Sequence, residues 1–118
     1  MDKMNIRKAA MIGCGFVGAS SAFALMQSGI FSEMLMIDAD HAKAEGEAMD
    51  LSHGLPFARP VKIYAGDYDD IVDAGIIIIT AGANQKPDET RLDLIHKNVE
   101  IYKQIIPEIA KRGCEGIL

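Results

Sequence analysis

The chain has 118 residues, enough for one domain and too few for two. Twelve Lys and Arg against seventeen Asp and Glu give a net charge of −5, which argues against nucleic acid or an anionic membrane as the main partner. Hydrophobic residues make up 49% and only two cysteines occur, so we expect neither disorder nor a disulfide scaffold, and we expect a reducing, cytoplasmic compartment.

Strand-like and helix-like segments alternate in the first half of the chain. The predicted elements are a strand at 8–12, a helix at 16–28, a strand at 34–37 and a helix at 42–53. Gly29 stands where a left-handed helix cap is expected, and Gly54 closes the second helix. The uncharged stretch 9–32 resembles an export signal, but the glycines inside it weaken an apolar helix by about 1 kcal/mol each.

The second half continues the alternation. Its predicted elements are a strand at 61–65, a helical turn within 67–74, a strand at 76–79 and a helix at 91–112. The strand at 76–79 consists of four isoleucines, which predicts a strand covered on both faces, as in a parallel sheet between helices. Residues 114–118 look like the start of a fifth strand.

The last predicted helix carries two apolar stripes. The first comprises Leu92, Ile95, Val99, Tyr102, Ile106 and Ile109, and the second comprises Leu94, Ile101 and Ile105. Together they predict a helix buried over much of its circumference. Pro107 is expected to kink this helix or to end its regular part.

Residues 13–18 read G-x-G-x-x-G between the first predicted strand and the first predicted helix. In this context Gly13 allows a tight turn, Gly15 lets the backbone approach a pyrophosphate, and Gly18 lets the helix pack closely. Phe16 and Val17 open the helix, whose free N–H groups would face the phosphates. The pattern predicts a dinucleotide-binding loop.

Asp38 ends the second predicted strand, 20 residues after Gly18. A carboxylate at this spacing accepts hydrogen bonds from the adenosine ribose and repels a 2′-phosphate, so NAD is favoured over NADP. The other interpretation is a glycine-rich turn with an incidental aspartate. The end of the fourth strand should line the same crevice, through Thr80, Ala81, Gly82 and Ala83.

These features predict an α/β fold of the Rossmann type, a parallel sheet with helices on both faces. With about four strands and the start of a fifth, the fold is expected to be incomplete, because the usual strand order is 3-2-1-4-5-6. The two cysteines lack metal-ligand spacing, and the aspartates at 67–73 lack the glycine that a calcium loop needs. We therefore expect no metal.

Four motifs carry a resemblance to a known family. They are the glycine loop, Ile37-Asp38, the segment 50–54 and the loop 82–94. Together they resemble the L-lactate dehydrogenases of the lactate/malate dehydrogenase family, from about residue 7 to the end of the chain. The resemblance implies that residues 1–118 are a truncated N-terminal NAD-binding domain, that the catalytic domain with its histidine is absent, and that the full-length protein is a homotetramer.

The resemblance also implies roles for the loop after the fourth strand. Gln85 matches the substrate-selecting position, where a neutral side chain suits the methyl group of pyruvate rather than the second carboxylate of oxaloacetate. Arg91 matches the arginine that polarises the ketone of the substrate. Asp88 departs from the family, which usually has glycine there, and this leaves the backbone geometry of the loop open.

Two further positions match cofactor contacts of the family. Lys43 is expected near the adenosine and Tyr68 near the adenine pocket, although a solvated lysine and a half-buried tyrosine are the ordinary alternatives. The implied activity is reversible hydride transfer between NADH and pyruvate, with L-lactate as product. The alternatives are a malate or other 2-hydroxy-acid dehydrogenase of the same family, and a non-catalytic dinucleotide-binding module.

Overall fold

A computed structural model describes residues 4–54, 60–83 and 86–118. The elements in chain order are β1 (Asn5–Ile12), α1 (Phe16–Ser28), β2 (Glu33–Ile37), α2 (His41–His53), β3 (Lys62–Ala65), a 3-10 helix (Tyr68–Ile71), β4 (Ala74–Ile79) and α3 (Arg91–Ala110). The predicted elements are confirmed, with β1 and β4 beginning earlier than expected. Gly29 adopts φ 71°, the left-handed cap that the sequence predicted.

The strands form one parallel sheet in the order β3-β2-β1-β4. At its centre, Met11 of β1 lies opposite Met36 on one side and Ile78 on the other. The peptide N–H of Ile77 donates to the carbonyl of Ile117 at 2.7 Å, and a parallel bridge joins Ile76 to Ile117. The predicted strand order and the start of a fifth strand beside β4 are therefore confirmed.

Each face of the sheet packs against its own helical layer. The first core cluster joins Met11 and Met36 of the sheet to α1 and α2, with Met26 and Leu51 fully or nearly buried. The second cluster lies on the other face. It comprises buried Ala10, Ile12, Leu35, Ile37, Ile71, Ala74, Ile77, Ile105 and Ile109. The three layers confirm the Rossmann-type α/β architecture and leave the carboxyl ends of the strands at a common edge.

Helix α3 is buried on a narrow part of its surface near its C-terminal end, so the prediction of burial over much of its circumference is wrong for the described chain. Ile105 and Ile109 pack on the sheet. Within the first stripe, to which Ile109 also belongs, Leu92 is 63% exposed and Ile95 is 56% exposed. Pro107 lies inside the helix, which continues to Ala110, so the proline does not end it.

A polar cluster ties the amino-terminal part of the sheet together. Lys8 of β1 is 3% exposed, and its Nζ contacts the carboxylate of Asp73 at 2.6 Å, the carbonyl of Asp70 at 2.7 Å and Glu33 at 3.4 Å. Burial alone would lower the pKa of Lys8, but the hydrogen bonds to Asp73 and Tyr64 outweigh it and raise that pKa above its ordinary value. Lys8 therefore stays charged.

Candidate dinucleotide-binding site

Packing requires glycine at two positions of the 13–18 motif, one in the β1–α1 loop and one in the first turn of α1. Gly13 has φ 103°, and a Cβ there would lie 2.6 Å from the backbone nitrogen of Ala81. A Cβ on Gly18 would overlap the carbonyl oxygen of Gly13 and lie 2.6 Å from Thr80 Oγ1. The tight turn expected at Gly13 and the close approach expected at Gly18 are both present, and both bring the loop against the end of β4.

Gly15 differs from these two glycines. A Cβ built on it meets no atom within 4 Å, and its φ of −73° and ψ of −166° are open to any L-residue. The fold therefore does not need glycine at this position. The space beside Gly15, at the N-terminus of α1, is open where the sequence pattern predicts a pyrophosphate.

Asp38 lies against the glycine loop. Its Oδ2 accepts a hydrogen bond from the backbone N–H of Cys14 at 2.7 Å, and its Oδ1 accepts one from Asp40 at 2.9 Å. The loop is also tied to β2 by the N–H of Gly13, which donates to Ile37 at 2.8 Å. The carboxylate therefore sits beside the loop with remaining lone pairs available to ribose hydroxyl groups.

The end of β4 is fixed against the same loop. The hydroxyl of Thr80 donates to the carbonyl of Gly13 at 2.9 Å. Further along, the N–H of Ala83 donates to the side-chain oxygen of Asn98 on α3 at 2.9 Å. The sequence interpretation did not include Asn98. Its signal in the sequence is an amide side chain between Leu94 and Ile101, four and three residues away, on an apolar stripe of the helix that follows the loop.

The two remaining predicted cofactor positions fall on different faces of the sheet. Lys43 is exposed on α2 and lines a cavity of about 620 Å³ that is also lined by Cys14, Gly15 and Phe16. Tyr68 is half-buried and packs against the second core cluster, with the guanidinium of Arg112 centred 5.7 Å from its ring. The structure thus places Lys43, but not Tyr68, in the lining of the cavity beside the glycine loop.

The structure describes only one of the two residues that are predicted to contact the substrate. Gln85 lies outside the described residues. Arg91 is exposed at the first position of α3, immediately after Thr90, which caps the helix by accepting from the N–H of Asp93 at 3.2 Å. In the described chain no non-glycine residue has a positive φ, so the backbone of Asp88 is one that any residue adopts.

Neither cysteine is placed for catalysis. Cys14 is 1% exposed, and burial, followed by the charge of Asp38, raises the pKa of its thiol to about 11. Cys114 is half-buried and its pKa is also raised by burial. Over the ranges that the structure covers, no three His, Cys, Asp or Glu side chains cluster to hold a metal, and no helix is long and apolar enough to cross a membrane.

A parallel sheet with a glycine-rich β1–α1 loop and an acidic residue at the end of β2 defines a dinucleotide-binding α/β domain. The chain belongs to the lactate/malate dehydrogenase family, whose NAD-binding domain matches residues 7–118. NAD is therefore the cofactor of the class.

The chain is similar to several L-lactate dehydrogenases. It is 55% identical to that of Priestia megaterium over 112 residues, covering 95% of this chain and 35% of the relative. It is 54% identical to that of Acetivibrio thermocellus, covering 96% and 36%. The crystal structure of minor L-lactate dehydrogenase from Enterococcus mundtii in its ligands-bound form matches with a TM-score of 0.90 at 44% identity, covering 94% and 36%. The chain thus spans about a third of the length of these relatives.

Proposed function

We propose that this chain forms the NAD-binding part of an L-lactate dehydrogenase, which transfers hydride reversibly between NADH and pyruvate. The observation that carries the proposal is the loop at 13–18, where Gly15 is open and the carboxylate of Asp38 is hydrogen-bonded to the backbone of Cys14. This arrangement offers N–H groups to phosphates and a carboxylate to a ribose at one edge of the sheet. When NADH is bound, it supplies the hydride.

Several residues of this chain are proposed to hold the cofactor. The loop positions Gly13, Gly15, Phe16, Val17 and Gly18 would face the pyrophosphate. Asp38 and Lys43 would face the adenosine, and Thr80, Ala81, Gly82 and Ala83 would line the crevice. Tyr68, which packs on the α3 side of the sheet, is proposed to lie near the adenine pocket.

Arg91 is proposed to contact the substrate. A guanidinium next to the ketone oxygen stabilises the negative charge that develops as hydride is transferred. Its exposed position at the start of α3 supports this role, because a long side chain there can reach into the crevice. Gln85 is proposed to select substrate through its lack of charge, since a second carboxylate would find no partner. A homotetrameric assembly and a cytoplasmic location are further proposals that rest on the family alone.

Cofactor binding is tested by calorimetry with NADH on the chain and on Asp38→Ala. We expect the substitution to weaken binding about tenfold or more, which corresponds to about 1.4 kcal/mol, because it removes the ribose acceptor and the hydrogen bond to Cys14. Asp40→Ala is the matched control, since Asp40 caps α2 without contacting the loop at 13–18. Equal affinity in wild type and Asp38→Ala would refute the cofactor site.

Substrate choice is tested in a protein of the relatives' full length that carries this chain. Pyruvate, oxaloacetate and 2-ketoisocaproate are compared by the oxidation of NADH at equal enzyme concentration. We expect pyruvate to have the highest kcat/KM. A clear preference for oxaloacetate would instead identify a malate dehydrogenase, and NADH binding without turnover of any keto acid would favour a non-catalytic module.

A further inference from the structure

Arg91 lies in an acidic stretch of sequence. Asp88, Glu89 and Asp93 all fall within three positions of it, and each could neutralise its guanidinium or repel an anionic substrate. An arginine that binds an anion must keep its own charge available. The structure accounts for two of these three carboxylates through contacts that do not involve Arg91.

Asp93 is engaged at the start of α3. It accepts a hydrogen bond from the backbone N–H of Thr90 at 3.1 Å, and Thr90 Oγ1 accepts one from the N–H of Asp93 at 3.2 Å. This reciprocal capping box satisfies two N–H groups at the helix terminus and lowers the pKa of Asp93. Asp93 therefore acts on the helix backbone rather than on Arg91.

Glu89 is engaged by a cation from the next part of the helix. Its Oε2 lies 2.5 Å from Nζ of Lys97, and its Oε1 accepts a hydrogen bond from the backbone N–H of Lys86 at 2.9 Å. The carboxylate is only 11% exposed, whereas the Lys97 side chain is 41% exposed. The hydrogen bond from Lys97, and next the one from Lys86, lower the pKa of Glu89. Among the described residues, no hydrogen bond or ion pair engages the side chain of Arg91.

We propose that Lys97 is a positioning residue for the substrate site: its ammonium neutralises Glu89 and so keeps the guanidinium of Arg91 available to an anionic 2-keto acid. This inference rests on the proposed function. Lys97 need not touch the substrate. It acts through the charge of Glu89, which stands two residues before Arg91 and beside the loop that follows β4.

The test uses the same full-length protein and the substitution Lys97→Met, which keeps the length of the side chain and removes its charge. We expect kcat/KM for pyruvate to fall about tenfold, mainly through KM, with the Kd for NADH unchanged. The loss should shrink as ionic strength rises, because salt screens the interaction of the Glu89 carboxylate with the exposed guanidinium of Arg91. Lys103→Met is the matched control, since Lys103 pairs with Glu100 on the exposed side of the same helix.

A second variant distinguishes neutralisation of Glu89 by Lys97 from a purely structural role of this ion pair. Glu89→Gln keeps an oxygen for the N–H of Lys86 and removes the negative charge. If Lys97 acts by neutralising Glu89, the double variant Glu89→Gln/Lys97→Met recovers the KM of wild type, and Lys97→Arg also retains it.

Three results would overturn the proposal. They are a double variant as poor as Lys97→Met, a Lys97→Met enzyme with the KM of the Lys103→Met control, and a change in the Kd for NADH of the same size as the change in KM. A wild-type protein without any keto-acid reductase activity is a different outcome, because it refutes the proposed function itself.

Discussion

Replacing each of two glycines of the 13–18 motif by alanine should separate folding from cofactor binding. Gly15 and Gly18 belong to the same motif, but a Cβ on Gly15 enters open space while a Cβ on Gly18 overlaps the carbonyl oxygen of Gly13. We therefore expect Gly18→Ala to lose stability, and Gly15→Ala to keep its stability and lose affinity for NADH.

The magnitudes follow from these contacts. In Gly18→Ala, the gain of about 1 kcal/mol in helix propensity is smaller than the cost of about 3 kcal/mol for forcing the carbonyl of Gly13 and the side chain of Thr80 away from the new methyl group. The net loss of about 2 kcal/mol lowers Tm by roughly 10 °C in a domain of this size. In Gly15→Ala, reduced chain entropy stabilises by about 0.5 kcal/mol, and the poorer N-cap costs a similar amount.

The assay pairs thermal unfolding, followed by circular dichroism, with calorimetric titration of NADH. We expect Gly15→Ala to melt within about 2 °C of wild type and to bind NADH at least tenfold more weakly, which corresponds to about 1.4 kcal/mol. The reasoning fails if Gly15→Ala binds NADH as wild type does, because the open space would then not be a phosphate site. It fails equally if Gly18→Ala melts like wild type.

Two further predictions concern buried groups. At about pH 8, a thiol reagent should modify Cys114 well before Cys14. The raised pKa of Cys14, about 11, keeps its thiol protonated, and its exposure of 1% keeps it inaccessible until the chain unfolds. Equal rates of modification in the folded chain would contradict this prediction. Lys8→Met should lower the free energy of unfolding by about 3 kcal/mol, because it leaves the carboxylate of Asp73 without its buried cation. Since the pKa of Lys8 is raised above 10.5, this contribution is complete below that pH and is lost only as pH rises through the folded value. Denaturant titrations of wild type and Lys8→Met should therefore give the same difference in the free energy of unfolding at about pH 6 and at about pH 8. A difference that disappears at pH 8 would refute the conclusion that Lys8 is charged in the folded chain.

The parts of the candidate site that could be predicted from sequence are those fixed by residues close together along the chain. The glycines at 13 and 18 mark a turn and a close approach, and the structure has both. The 20-residue step from Gly18 to Asp38 spans the rest of α1 and all of β2, so the carboxylate necessarily returns to the same edge of the sheet. The contribution of Asn98 was not predicted, because a hydrogen bond between residues 15 positions apart depends on how α3 packs.

The burial of α3 could not be predicted for a similar reason. Periodicity identifies stripes of apolar residues on a helix, but it does not say which members of a stripe meet the sheet. Ile105 and Ile109 meet the sheet, whereas Leu92 and Ile95 do not. Lys8 shows the opposite case. A charged residue inside a strand is expected to be exposed, but Lys8 is buried because groups of Glu33, Asp70 and Asp73 surround its ammonium.

The hydrogen bond from Cys14 to Asp38 has a consequence for changing cofactor preference. The carboxylate proposed to distinguish NAD from NADP also anchors the loop at 13–18, the proposed phosphate loop, because its Oδ2 accepts a hydrogen bond from the N–H of Cys14 at 2.7 Å. Exchanging Asp38 for a small or basic residue, the usual route towards a 2′-phosphate, would remove an anchor of the loop at the same time. A variant that prefers NADP should therefore need a second substitution that restores an acceptor for the N–H of Cys14, so recognition of the ribose and shape of the phosphate loop cannot be altered independently in this chain.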